Sequence, residues 1–330
     1  MEKTVLFTDT HFGVKNNSMT WLNSQLDFIY KQFIPDLQDL KKQGHTITLI
    51  HLGDVFDSRS TISTYVATKV REAFSRLRSV VDKFHIIAGN HDYYSPNSSE
   101  VCSIDLLLHG LDIYIHSRMS YLTHEGDLYL PWYQYQEVDA VKQLIEMGKV
   151  KRIFTHADIV TERVPYLGVP IFSGHLHIPS IKDEINRFNL GSCFALNFAD
   201  ANDHRGYYIL SDQNWKFIPN IQSIQYWRLY DEDIFDIYNS YIKDGDYIEL
   251  YISQSNISHP DYIEKMNEMT KKYKNIWIIP KAEDFVGDQL EKFEGYDIES
   301  IVRKTIPDHL KSKFENVLNS LNNSIIMKNE

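Results

Sequence analysis

Five short apolar segments of this chain are each followed at once by aspartate, histidine or asparagine, and this arrangement constrains the fold more than any other feature. Each segment has the length and the β-branched or aromatic content of a buried strand. Strand-like and helical patterns alternate along the chain, which predicts a layered α/β fold. The segments and the polar residues after them are 5–8 before Asp9 and His11, 47–50 before Asp54 and Asp57, 84–88 before Asn90 and His91, 152–155 before His156, and 169–173 before His175 and His177.

The polar residues that follow these segments are expected to converge, because ligands of open α/β sheets bind outside the carboxyl ends of the strands. Gly53, Gly89 and Gly174 stand directly before them and permit tight turns or close backbone approach. Each pattern alone, such as Asp-x-His, recurs by chance and has an ordinary structural explanation. The complete set, with every member at a strand end, predicts one site.

The residue types at these positions predict a site for divalent metal ions. Two cations held roughly 3.5–4 Å apart can clamp a phosphodiester and activate water at neutral pH. A carboxylate is needed between them, and Asp54 is the candidate because Gly53 allows the chain to turn there. Imidazole and oxygen donors without a thiolate suit manganese, iron, zinc or magnesium, and the sequence does not choose among these.

Composition limits the classes of function. The 330-residue chain has 34 Lys and Arg against 45 Asp and Glu, a formal net charge of −11, which argues against coating nucleic acid by charge alone. A nuclease remains compatible, because bound metal ions reverse the local field. Cys102 and Cys193 form no CxxC motif, and no long apolar run or signal sequence is evident. These features predict a reduced, cytoplasmic protein (host cytoplasm if viral) without a membrane anchor.

Sequence patterns divide the chain into three parts. Residues 1–222 carry all the site motifs. A change to acidic, Tyr-rich sequence near Ser223 predicts a boundary, and 223–286 contain a β-α-β pattern. Residues 287–330 predict a linker and two short helices that share one apolar stripe, with Pro307 opening the second helix.

The motifs together resemble those of the calcineurin-like metallophosphoesterase superfamily, whose pattern is D-x-H, G-D-x-x-D, G-N-H-D/E, H and G-H-x-H. Within this superfamily, the residues that occupy the motifs are similar to those of SbcD-type DNA double-strand-break nucleases. Leu130-Pro131-Trp132 and Asp203-His204-Arg205-Gly206 resemble the nuclease subunit of tailed-phage recombination endonucleases. This resemblance implies a β-sandwich core flanked by helices, a capping, DNA-binding domain at 223–286, and C-terminal helices that dock an ATPase.

The resemblance also implies a role for each site residue. One metal ion would take Asp9, His11, Asp54 and His177, and the other would take Asp54, Asn90, His156 and His175. His91 would act on the scissile phosphate, with the Asp57 carboxylate orienting its ring. Lys15, Arg59 and Arg205 are candidate phosphate contacts, with a solvated surface position as the alternative for each.

The function implied is that of a metal-dependent DNA exonuclease and endonuclease in recombination and double-strand-break processing. Two divalent ions, manganese or alternatively magnesium, would serve as cofactors. A homodimer would work with an SbcC-type coiled-coil ABC ATPase on DNA ends, single- or double-stranded. Two alternatives stay open: a stand-alone phosphodiesterase or phosphatase for nucleotides, and a scaffold that tethers DNA ends.

Overall fold

A computed structural model describes residues 1–95, 98–118, 121–132, 138–160, 167–211, 214–235 and 241–281. One compact unit, Met1–Ile279, contains nearly all of the described residues. The predicted linker and helices of residues 287–330 lie outside the described residues. None of the helices in the described ranges has the length and apolar character needed to cross a bilayer.

The first of two six-stranded sheets carries three of the motif strands. Its strands are β1 (Glu2–Phe7), β2 (Thr46–His51), β3 (Lys83–Ile87), β6 (Tyr114–His116), β13 (Gly206–Ser211) and β14 (Asn214–Pro219). They lie in the order β14-β13-β1-β2-β3-β6. Strands β1, β2, β3 and β6 are parallel to one another. Strand β13 pairs antiparallel with β1, and β14 pairs antiparallel with β13 at the edge of the sheet. The carboxyl ends of β1, β2 and β3 therefore lie at one end of this sheet.

The second sheet carries the other two motif strands. Its strands are β7 (Tyr121–Leu122), β8 (Asp127–Leu130), β9 (Arg152–Thr155), β10 (Ile171–Ser173), β11 (Ser180–Lys182) and β12 (Arg187–Asn189). Their order is β11-β12-β10-β9-β8-β7, with β8, β9, β10 and β12 parallel. Apolar residues of both sheets form one cluster between them, so the core is a β-sandwich. The expected α/β sandwich is confirmed.

Alternation along β1 explains how one strand serves two layers. Leu6 belongs to the cluster between the sheets, whereas Val5 and Phe7 belong to the cluster that packs against the helices. Successive side chains of a strand point to opposite faces, and a strand buried on both faces is a continuous apolar run. The segment from Val5 to Phe7 has this pattern because helices cover the outer face of the sheet.

Most helices of the described residues pack on the outer faces of the sandwich, and the last two pack with a further, three-stranded sheet. The helical segments in the described residues are α1 (Val14–Asn17), α2 (Met19–Phe28), α3 (Ile34–Lys42), α4 (Thr64–Val80), α5 (Ser103–Leu107), α6 (Val138–Glu146), α7 (Gln254–Ile257) and α8 (Pro260–Lys272). Pro35 does not interrupt the helical segment that contains it. A π-helical turn, Ile29–Phe33, joins α2 to α3, and Pro35 lies in the first turn of α3, where its missing N–H costs little.

Two short strands follow the Asn-His-Asp motif. Strands β4 (Tyr93–Ser95) and β5 (Ser98–Cys102) pair as an antiparallel hairpin. Pro96 and Asn97, which separate the two strands in the sequence, are residue types common in turns. Strand β4 begins directly after Asp92 of the motif.

A third sheet contains the predicted β-α-β pattern. Strand β16 (Tyr247–Ile252), helix α8 and strand β17 (Asn275–Pro280) follow the sequence prediction closely. Strand β15 (Tyr226–Tyr230) was not predicted and pairs in parallel with β16. Ile248, Leu250 and Ile252 are buried in one cluster with residues of α8. This sheet lies almost entirely in the compact unit Met1–Ile279. The division of the chain at 223 and 286 stays a prediction.

A buried pair of histidines between the two large sheets should make stability depend on pH. His85 Nδ1 lies 3.0 Å from His116 Nε2, and both rings stack on Tyr129. Burial, with a smaller contribution from Lys83, lowers the pKa of His85 to about 4, and burial with His85 lowers the pKa of His116 to about 3. The unfolded chain, with histidine pKa values of about 6.5, takes up these protons first. The pair's stabilisation is thus present above about pH 6.5 and is lost as pH falls toward 4.

We expect the double variant His85→Phe, His116→Phe to keep the aromatic stack and to lose this pH dependence. Thermal unfolding of wild type and variant between pH 7 and pH 4.5 measures it, and only the slopes are compared. The melting temperature of the wild type should fall more steeply. Parallel curves would contradict the assignment of neutral, titrating histidines to this position.

Candidate metal centre

Main-chain hydrogen bonds join the loop after β1 to the loop after β2, and this pairing sets the predicted ligands side by side. Asp9 N donates to Gly53 O at 3.0 Å, and His11 N donates to Asp54 O at 3.1 Å. Asp9, His11 and Asp54 have φ of 51°, 45° and 56°, in the left-handed region. Each such residue costs roughly 1–3 kcal/mol and persists only where the surroundings hold it. His175 has a positive φ of 80° as well, so the backbone is strained at four of the residues that carry the donor atoms.

Two glycines are required at the site because other chain segments pass too close for a side chain. A Cβ on Gly89 would lie 2.2 Å from Asp54 Oδ1, and a Cβ on Gly174 would lie 2.1 Å from Thr8 Oγ1. Both separations are far below van der Waals contact. Glycine at these positions lets the loops after β3 and β10 approach Asp54 and Asp9.

One group of donor atoms lies on the His11 side of Asp54. His11 Nε2 and His177 Nε2 are 3.1 Å apart, and Asp9 Oδ1 is 3.9 Å from each of them. Asp54 Oδ2 lies 3.7 Å from His11 Nε2. Atoms that bind one ion at about 2.0–2.2 Å lie roughly 3–4 Å from each other. Asp9, His11 and His177 therefore have the spacing of ligands to a common ion.

A second group lies on the other side of Asp54. Asn90 Oδ1 is 2.9 Å from His175 Nδ1 and 3.1 Å from His156 Nε2. Asp54 Oδ2 lies 3.2 Å from His156 Nε2, so the same carboxylate oxygen faces both groups. The structure thus brings together every residue predicted as a ligand, and Asp54 stands between the two sets. Their assignment as ligands stays a prediction.

Charge at the centre favours cations. Asp9 and Asp54 are fully buried, and a buried carboxylate needs a positive partner, a metal ion or several hydrogen-bond donors. Burial lowers the pKa of His156, but Asp54 outweighs burial and raises it to about 9. Burial likewise opposes ionisation of Asp54, yet His156 and His11 hold its pKa well below the usual range. A donor set of imidazoles, carboxylates and one carboxamide fits manganese, magnesium, iron or zinc in place of these protons.

Hydrogen bonds to main-chain carbonyls fix which ring nitrogens face the centre. A carbonyl can only accept, so His156 Nδ1 carries the proton that it donates to Leu52 O at 2.7 Å. This leaves His156 Nε2 toward Asn90 and Asp54. His175 is held through its main chain, since its N–H donates to the carboxylate of Asp9 at 3.2 Å. Burial and His156 lower the pKa of His175 to about 4, which keeps that imidazole neutral, as a ligand must be.

Asp92 has a structural role that sequence reasoning did not assign. Its carboxylate accepts main-chain N–H groups of Gly89 at 2.8 Å and Asp54 at 3.0 Å, and also those of Val55 and Phe56. One side chain thereby joins the loops after β2 and β3. The motif contained Asp92, but its partners are backbone groups distant in sequence, so nothing in the sequence indicated the contact.

His51 supports the loop from the other side and was also missed. Gly53 N donates to His51 Nδ1 at 3.1 Å, so the proton of this imidazole lies on Nε2. That nitrogen lies 3.0 Å from Thr10 Oγ1, which in turn donates to Val55 O. Burial and His156 lower the pKa of His51 to about 3 and keep it neutral.

In the structure His91 contacts Asp57 through the main chain, and orientation of its ring by the Asp57 carboxylate stays a prediction. His91 Nδ1 donates to the main-chain carbonyl of Asp57 at 2.6 Å, whereas the Asp57 carboxylate lies 3.4 Å from His11 Nδ1. Hydrogen bonding to His11 lowers the pKa of Asp57. Asp57 thus contacts both rings, through its carbonyl at His91 and through its side chain at His11. His91 N also donates to Asp54 Oδ1 at 2.8 Å.

The three candidate phosphate contacts have different positions. Lys15 is exposed and Arg59 is half-buried. Arg205 was expected at a phosphate or at the surface, and both expectations are wrong, because it is 1% exposed and pairs with Asp200 at 2.6 Å. A buried arginine in a Gly- and Asp-containing loop is not distinguishable by sequence from an exposed one.

Comparisons with known proteins identify the family to which these motifs belong. The family model of the calcineurin-like phosphoesterases matches residues 2–179. The chain is also 26% identical over 231 residues to exonuclease subunit 1 of Enterobacteria phage T4, and the matched region covers 64% of this chain and 66% of that protein. The family match spans more than half of the chain and contains the described site motifs. This chain belongs to the calcineurin-like phosphoesterase family.

Proposed function

We propose that this phosphoesterase is a metal-dependent nuclease that hydrolyses phosphodiesters of DNA by a two-metal mechanism. One observation carries the proposal: a single oxygen of Asp54 faces His11 at 3.7 Å and His156 at 3.2 Å, between two groups of donor atoms. A bridging carboxylate between two such groups is the arrangement that a pair of cations requires. Manganese is the proposed metal, with magnesium as the alternative.

The proposed roles follow from the two groups. Asp9, His11 and His177 would hold one ion, Asn90, His156 and His175 the other, and Asp54 both. A pair of divalent cations, when bound, would polarise the phosphate and activate a water molecule. His91 would protonate the leaving oxygen through Nε2, because Nδ1 is already engaged with Asp57 O. Asp57 would hold the rings of His11 and His91 in place.

The setting of this activity is proposed from the phage T4 relative, whose name describes an exonuclease subunit. We propose that this chain is likewise a subunit, acting on DNA ends in recombination and double-strand-break processing in the cytoplasm. A homodimer with an SbcC-type coiled-coil ABC ATPase is the proposed assembly. The net charge of −11 supports a partner that provides part of the grip on DNA. Domains 1–222, 223–286 and 287–330 would serve catalysis, capping and docking.

Cleavage assays test the proposal directly. Purified protein is incubated with manganese or magnesium and with labelled single-stranded DNA, double-stranded DNA, bis(nitrophenyl) phosphate or nitrophenyl phosphate. Cleavage of DNA and of the diester, abolished by a chelator and in Asp54→Asn, is the expected result. Hydrolysis of the small esters without DNA cleavage would favour the stand-alone phosphodiesterase. DNA binding without any hydrolysis would favour the end-tethering scaffold.

Docking by residues 287–330 has its own test in the full-length chain. We expect the double variant Leu310→Asp, Phe314→Asp to lose co-purification with the coiled-coil ATPase, because an amphipathic helix binds a partner through its apolar residues. Manganese-dependent cleavage of short single-stranded DNA should stay near the wild-type rate. Asn316→Asp adds a charge in the same segment and serves as the control. Loss of basal cleavage or aggregation of the double variant would show that the stripe belongs to the core.

A further inference from the structure

Three consecutive main-chain carbonyls around His177 are bonded to groups from outside that segment. Asn189 Nδ2 donates to Leu176 O and to Ile178 O, each at 2.9 Å. The carboxamide of Asn189, at the end of β12, is fully buried and thus spans the two residues on either side of His177. A side chain with two donors in this geometry fixes the direction of the peptide groups between them.

The middle carbonyl, that of His177 itself, accepts two further hydrogen bonds. Ser192 N donates to it at 3.0 Å, and Arg205 Nη1 donates to it as well. Gly191 allows this approach, since a Cβ there would lie 2.7 Å from His177 O. The backbone of His177 is therefore held by hydrogen bonds to its own carbonyl and to the carbonyls of Leu176 and Ile178.

Arg205 is itself fixed by a buried carboxylate. Its Nη2 donates to Asp200 Oδ1 at 2.6 Å, and Asp200 Oδ2 accepts the main-chain N–H groups of Leu196 and Asn197. Burying a guanidinium and a carboxylate carries a desolvation cost of several kcal/mol that such a pair does not always recover. Because Arg205 also donates to His177 O, this pair links Asp200 to the main chain of a predicted metal ligand.

The imidazole of His177 needs support of this kind. His156 is anchored through its own ring, by Nδ1 to Leu52 O. The ring of His177 is about one-third exposed, and within the described residues its polar contacts are with His11 and Asp9, both groups of the centre itself. Its direction therefore depends on its main chain.

We infer that Arg205 and Asn189 are positioning residues that set the His177 imidazole toward Asp9 and His11 for metal binding. The inference rests on the proposed metal site, and it deepens that proposal by assigning two residues outside the motifs. Partners of this kind orient a ligand without touching the ion, and their loss typically costs about 10–100-fold in metal affinity.

A double-mutant cycle read by manganese binding tests this role. Calorimetric titration of metal-free protein compares wild type, Arg205→Lys, His177→Ala and the double variant. Lysine keeps the positive charge opposite Asp200, but it lacks the planar guanidinium group that donates to both Asp200 and His177 O. We expect Arg205→Lys to weaken one of two manganese sites about 10–100-fold. In the His177→Ala background the same change should have an effect of less than about twofold, because the two residues act as one unit.

Matched buried residues separate positioning from general stability. Arg187 is also buried and donates to Ile159 O at 3.0 Å, so Arg187→Lys repeats the chemical change at a different main-chain carbonyl. Gln32 is a buried carboxamide that donates to Pro219 O at 2.7 Å, and Gln32→Glu is the control for Asn189→Asp. Thermal unfolding of each variant checks folding. Both control variants should keep wild-type manganese affinity, whereas Asn189→Asp should weaken one site.

Additive effects of Arg205→Lys and His177→Ala would overturn the inference. Equal losses of affinity in Arg187→Lys and Arg205→Lys would also overturn it, because they would indicate general destabilisation. The readout is metal binding, so coupling without any DNA cleavage would refute the proposed nuclease function and leave the positioning role standing.

Discussion

Asp54→Asn should weaken manganese at both sites and abolish cleavage, the largest loss expected from any single substitution in the centre. The carboxamide oxygen of the variant could still accept the hydrogen bond from His91 N, so the loop should keep its shape. The lost negative charge, however, lies between the two donor groups and faces both His11 and His156. Each site should weaken by at least the 10–100-fold that losing an outer-shell partner costs.

Asp9→Asn is the matched comparison for Asp54→Asn. Asp9 Oδ1 faces His11 and His177 at 3.9 Å each. The carboxamide oxygen of the variant could still accept the hydrogen bond from His175 N, so loss of the Asp9 charge should weaken mainly the site of His11 and His177. Calorimetric titration with manganese distinguishes two weakened sites from one. A proton count adds a second readout, since Asp54 raises the pKa of His156 to about 9 and manganese must displace that proton. Matching single-site losses in the two variants would remove Asp54 from the bridging position.

The sequence predicted the convergence of the donors because strand direction determines it. Asp9, Asp54 and Asn90 follow parallel neighbours of one sheet, so their proximity follows from strand order alone. His156 and His175 follow strands of the other sheet, and residue patterns alone did not assign the motifs to two sheets. Only the resemblance to a known family implied the sandwich. Strand β15 was missed because its Tyr- and Trp-rich sequence lies beside an acidic segment without strand periodicity.

The contacts that hold the donors in place could not be predicted in the same way. Asp92, Asn189 and Arg205 all bond to main-chain groups, and a main-chain partner leaves no trace in residue type. The Asp57 carboxylate faces a ring nitrogen of His11 at 3.4 Å, a contact that the residue types alone do not indicate. Sequence reasoning therefore identified the chemical groups of the centre and missed most of their supports.

His91→Ala should retain manganese and lose about 10²–10⁴-fold in the rate of DNA cleavage, the range expected for loss of a general acid. Neither group of donor atoms around Asp54 needs the His91 ring. Its Nδ1 is engaged with Asp57 O at 2.6 Å, so Nε2 is the nitrogen open to a substrate oxygen. Metal content by mass spectrometry, measured beside the cleavage rate, tests the separation. His11→Ala is the control and should lose metal together with activity.

A comparison of substrates with different leaving groups tests which step His91 assists. The DNA 3′ or 5′ oxygen is a poor leaving group that needs a proton, whereas nitrophenolate leaves without one. If His91 protonates the leaving oxygen, His91→Ala should slow bis(nitrophenyl) phosphate hydrolysis far less than DNA cleavage. Equal losses on both substrates would assign His91 to stabilising charge on the phosphate instead. Loss of metal from His91→Ala would make His91 a ligand and would contradict its separation from the two donor groups.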